Sequence, residues 1–87
     1  MVILHIACIS DDPFSGVYTV VPQHIREQQK IAEVGFVNIK NVKFEGIDNQ
    51  FDYFEEFNVG ALPKPFCDPD IIVFHEAYRV QIGRAHV

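Results

Sequence analysis

The chain has 87 residues, 48% apolar and 13% aromatic, and its seven Lys and Arg against twelve Asp and Glu give a net charge of −5. That is one small domain at most, and a chain near this size buries only roughly 60–65% of its unfolded surface, so its core is thin. The apolar content argues against intrinsic disorder, and the acidic balance against a nucleic-acid partner, which needs a basic face to replace counterions.

Val2-Ile3-Leu4-His5-Ile6-Ala7-Cys8-Ile9 is a continuous apolar run, as expected of a strand buried on both faces of a parallel sheet. Ser10 to Gly16 collects turn formers, Pro13 and Gly16, and reads as a loop. A helix follows. Val17, Val20, Val21, His24, Ile25, Gln28 and Ile31 recur at three- and four-residue steps and share one face, with Arg26, Glu27, Gln29, Lys30 and Glu33 opposite. Pro22 predicts either a kink or a start near Thr19 that leaves it in the first turn.

Val34 to Ile39 is a second strand candidate and completes a strand–helix–strand unit. Residues 40–57 are less regular, with Phe51 to Phe57 reading as a short strand or an aromatic-rich helical turn. Asn58 to Pro69, carrying Gly60, Pro63, Pro65 and Pro69, is expected to be loop. Asp70 to His75 is a further buried strand, and Glu76 to Val80 opens a helix. The order predicts an α/β fold, a partial doubly wound (Rossmann-like) parallel sheet. With one complete helix to cover a sheet of this kind, apolar strand surface is expected to be exposed.

No apolar run approaches the ~20 residues of a membrane span. Two cysteines, Cys8 and Cys67, make no disulfide framework, which fits a reducing, cytoplasmic setting. The final Ile82-Gly83-Arg84-Ala85-His86-Val87 resembles the translation of a common short-read sequencing adapter, residue for residue. Residues 1–80 are therefore expected to be an incomplete Rossmann-like domain and 81–87 a non-native tail, and His86 is set aside as a ligand.

Ligands of open parallel sheets bind outside the carboxyl ends of the strands. Two points of the sequence fall there. One is the loop after the first strand, where Ser15 and Gly16 lead into a helix. The first N–H groups of a helix suit an anion, and Gly16 lets a ligand approach the backbone. The plainer alternative is an ordinary loop with Ser15 as N-cap. The other is His75-Glu76. His75 can donate to a ligand hydroxyl or act as a base, and Glu76 can accept a hydrogen bond or cap the next helix. A purely structural His75 is the competing reading. His5, in mid-strand, reads as a satisfied core histidine, and His24 as a packing or surface residue. Asp11 and Asp12 could hold Mg²⁺ as in a phosphate-receiver domain, or be two solvated acids. A receiver also needs an Asp where this chain has His75-Glu76. Cys67 lacks the spacing of a zinc ligand or a catalytic nucleophile.

Three segments carry a resemblance: ILHIACISDDPFSGVYTVVPQHIREQQ, VGFVNIKN and CDPDIIVFHEAY. In this order and spacing the chain resembles the N-terminal domain of GT-B glycosyltransferases, the retaining family-4 type of surface-polysaccharide synthesis. The resemblance implies the truncated, acceptor-side half of an enzyme that moves a hexose from a nucleotide-sugar to a glycan or lipid-linked acceptor. It implies a second Rossmann-like domain for the nucleotide-sugar, no metal or other cofactor, and a peripheral membrane association for the parent. Ser15 and Gly16 would approach the donor diphosphate or the acceptor. His75 would act on the acceptor side with Glu76 beside it, and the 87 residues alone would be inactive. The loop carries one Gly where many members have two. The alternative is a small stand-alone receiver-like regulatory or binding domain using Asp11 and Asp12.

Overall fold

The computed structural model describes residues 1–10 and 16–75. Its elements in chain order are β1 (Val2–Ala7), α1 (Gly16–Gln28), β2 (Glu33–Asn38), β3 (Gln50–Asp52), a single 3-10 turn at Val59–Ala61, and β4 (Ile71–His75). The strands form one parallel sheet in the order β3-β2-β1-β4. The chain is thus an α/β protein with a partial Rossmann-like sheet, as the alternation of apolar runs and amphipathic helix predicts.

Strand β1 sits at the centre because it is apolar on both faces. Ile3, His5 and Ala7 share one face with Val34, Phe36 and Asn38 of β2 and with Ile71, Val73 and His75 of β4. Val21 and Ile25 of α1 pack on that face with Phe44 and Ile47 from the β2–β3 connection. The other face carries Leu4, Ile6 and Val37, covered by Phe57 and Val59 with Tyr53 and Leu62 beside them. The connections therefore lie on opposite faces: β1–β2 and β2–β3 on the α1 side, β3–β4 on the other. This is the arrangement that right-handed crossovers demand when the order runs outward through β2 to β3 and then returns past β1 to β4.

Three expectations need correction. The irregular region does not leave the sheet uncovered, because its scattered aromatics supply the second layer that a helix would otherwise give. The expected apolar exposure is present, but at β4, which the sequence reads as a buried strand: as the edge strand among the described residues it has no fully buried residue, and Ile71 and Phe74 are 43% and 46% exposed, while β1 is buried along nearly its whole length. Of the two alternatives for Pro22, the start near Thr19 is removed: α1 starts at Gly16 and runs through Pro22, which lies in the helix interior. Its buried stripe is narrower than the seven-residue face predicted. Val20 is 65% and Ile31 87% exposed, since the helix meets the sheet through Val21 and Ile25 and ends before Ile31. The opening of a helix at 76–80 and the tail at 81–87 lie outside the described residues.

Gly35 in mid-β2 has a packing reason. A Cβ there would stand 2.8 Å from a ring carbon of Phe66 and 3.2 Å from both Leu4 and Phe51. The missing side chain lets the tilted Phe51–Phe66 ring pair, with centroids 5.3 Å apart, sit directly on the strand. Cys8 and Cys67 do not pair with each other in a disulfide. Among the described residues no helix is long and apolar enough to cross a membrane.

Candidate functional site

In the order β3-β2-β1-β4, the chain leaves β1 toward β2 on one side and reaches β4 on the other, so the carboxyl ends of β1 and β4 flank the topological switch point. Ala7 and His75 are register partners at those ends. Because the strands are parallel, His75 and the exit of β1 lie at the same edge of the sheet. Gly16 is the first residue of α1. Ser15, Glu76, Asp11 and Asp12 lie outside the described residues.

The exit of β1 is held by Asn38, the last residue of β2. Its Oδ1 accepts from the N–H groups of Ile9 at 2.9 Å and Lys40 at 3.2 Å. Its Nδ2 donates to the carbonyls of Ile9 at 2.8 Å and Val42 at 3.2 Å. All four hydrogen-bonding positions of the buried amide are thereby used, and the strand end entering the loop is fixed on both its N–H and its C=O.

His75 does not stand alone. Its ring meets that of His5 edge to edge and nearly in one plane, with centroids 5.1 Å apart and planes 12° from parallel. His75 Nε2 and His5 Nδ1 are 2.8 Å apart, and His5 Nε2 is 2.6 Å from Gln28 Oε1. With the amide oxygen of Gln28 as acceptor, His5 Nε2 carries the proton and His5 Nδ1 is a lone pair. The proton of the next bond then belongs to His75 Nε2, which donates to His5. His24 of α1 meets His5 edge-on, with ring centroids 6.1 Å apart. Three elements, β4, β1 and α1, thus join in one hydrogen-bonded chain beneath the switch point.

The site favours neutral rings. Burial is the main cause that lowers the pKa of His5 below 6.5, opposed by the hydrogen bond to Gln28 and assisted by His24. Burial likewise leads in lowering His75, followed by its neighbours His5 and His24. Among the described residues no group of three or more His, Cys, Asp or Glu is arranged to hold a metal ion. What the arrangement offers chemically is an oriented imidazole at a strand end. No described residue pairs with His75 Nδ1.

The sequence pointed to His75 and to a satisfied His5, but not to their contact. It missed Gln28 and Asn38 as site residues. The available signal for the first was a polar pair, His24 and Gln28, one helical turn apart on the face that carries Val21 and Ile25. No family model, curated protein or solved structure matches the chain.

Proposed function

We propose that the chain is the acceptor-side, N-terminal part of a cytoplasmic GT-B-type glycosyltransferase that moves a hexose from a nucleotide-sugar to a glycan or lipid-linked acceptor. The observation that carries this reading is the seat of His75: at the carboxyl end of β4, beside the exit of β1, at the switch point of a sheet ordered β3-β2-β1-β4. That is where open parallel sheets take ligands. A neutral imidazole held there is suited to hydrogen-bonding a sugar hydroxyl. The N-terminus of α1, opened by Gly16, is suited to phosphate oxygens or to an acceptor hydroxyl. Transfer itself needs the nucleotide-sugar domain, whose closure brings donor and acceptor together.

The strand order also favours this reading over the receiver-like one. Receivers follow the order 2-1-3-4-5, in which the third strand lies next to the first. Here the third strand lies outside β2, and β4 ends in His75 where a phosphorylatable Asp is needed.

Resequencing the locus is the direct test. A frame that continues past Val80 into a second Rossmann-like domain supports the proposal, as does the absence of transferase activity from the 87 residues alone. Mg²⁺-dependent phosphorylation of the purified chain by acetyl phosphate would overturn it in favour of the receiver.

A further inference from the structure

A histidine that meets ligand from a strand end can present either an N–H or a lone pair, and the groups behind it decide which. Behind His75 stands His5, 1% exposed, and behind His5 stands Gln28 in the last turn of α1. We propose that His5 and Gln28 are positioning residues that hold His75 as its Nε2–H tautomer and leave its Nδ1 as the lone pair that accepts a hydrogen bond from a ligand hydroxyl, the chemistry of a sugar or another polyol. The proposal rests on the reading of His75 as an acceptor-side residue.

The geometry carries it in three steps. The Gln28 oxygen, 2.6 Å from His5 Nε2, requires a proton on that nitrogen. A neutral His5 then has only Nδ1 as acceptor, and the 2.8 Å contact to His75 Nε2 is filled by the proton of His75. A neutral His75 that donates from Nε2 has its lone pair on Nδ1. The two rings lie nearly in one plane, 12° from parallel, so the Nε2–H of His75 points along the in-plane lone pair of His5 Nδ1.

The end of the chain sets the role. In hydrolytic triads a carboxylate behind the histidine stabilises the imidazolium that forms when a proton is taken. Here the terminal group is a neutral amide, and the middle group is an imidazole buried without a described counter-charge. A proton gained by His75 would be left without compensation, in agreement with the depressed proton affinity of both rings. His75 therefore orients a hydroxyl and does not remove its proton.

The test is nitrogen NMR on the uniformly ¹⁵N-labelled 87-residue chain at mildly alkaline pH. Long-range proton–nitrogen spectra are expected to show protons on Nε2 of both His5 and His75, with scalar coupling from His75 Nε2–H across to His5 Nδ1. Gln28→Leu is expected to abolish the protected His5 Nε2–H signal and let His75 sample both tautomers. Gln28→Glu keeps the acceptor, so it is expected to preserve both tautomers while raising the pH at which the pair takes up its first proton. A wild-type His75 protonated on Nδ1, or a Gln28→Leu spectrum identical to wild type, overturns the assignment. Glucose, galactose and mannose titrated into the same sample separate the two readings. Shifts at His75 Nδ1 support the hydroxyl-acceptor role. An intact relay with no response to any of them overturns that role and counts against the acceptor-side reading. A response with a scrambled relay overturns the positioning assignment alone.

Discussion

Asn38 satisfies every donor and acceptor of its side chain on the backbone of three residues, Ile9 after β1 and Lys40 and Val42 after β2, so it acts as a clasp between the exits of the two strands. Asn38→Ala strips the buried Ile9 N–H and C=O of these partners and is expected to cost about 2–3 kcal/mol in urea unfolding. Gly35→Ala adds a methyl group where the Phe66 ring stands 2.8 Å away, and is expected to cost about 1–3 kcal/mol by the same measurement. The histidines predict a pH dependence. Folded His5 and His75 bind protons less readily than the ordinary 6.5, so below that pH the unfolded chain takes up protons first. Stability is then fully retained above 6.5 and falls as the pH drops below it, until the folded rings also protonate. Urea midpoints measured on either side of 6.5 are expected to show this fall, and His75→Gln to make it shallower.

At the scale of elements, the β2–β3 connection lacks the helix usual in a doubly wound fold, and side-chain amides take its place. Gln50 accepts from Phe44 N–H and donates to the carbonyls of Phe44 and Ile47. Gln29 donates to Gly46 and accepts from Asp48, Arg26 donates to Glu45, and Asn41 brackets Tyr53 on both sides. Gly46, at φ +86° with Arg26 only 3.1 Å from where a Cβ would be, is the turn on which this packing closes. Gln50→Ala is expected to cost about 1–2 kcal/mol and to speed amide hydrogen exchange at residues 44–47. This scale also explains what could be read in advance. Strands β1 and β2 are contiguous apolar runs, and burial on both faces writes itself into such runs directly; β4 is an equally apolar run, yet it lies half exposed at the edge, which the run alone does not reveal. Strand β3 has three residues, too few for any period to register. The layer made by Tyr53, Phe57, Val59 and Leu62 is assembled from short turns, Val59 and Leu62 sharing the single 3-10 turn, and none is long enough for a helical or strand period to register. The His5–His75 contact was hidden for another reason: neither residue signals the other, and only the strand order makes them neighbours.

At the scale of the whole molecule, among the described residues the sheet ends at β4, a strand whose Ile71 and Phe74 point to opposite faces and are both partly exposed. Unpaired strand edges of this kind recruit other strands. The purified chain is expected to self-associate as concentration rises in sedimentation velocity, and Phe74→Lys to suppress it. The placement of β1 has a consequence of another sort, in time. Val2 pairs with Asp70 across 68 residues of sequence, so the most apolar strand is synthesised first and receives its second neighbour last. At on the order of 5–20 residues per second, translation leaves that greasy N-terminal segment half-partnered for several seconds. Until β4 is delivered, the β4-facing edge of β1 stands open to the wrong partners, so the exposure lasts as long as synthesis of the intervening residues does.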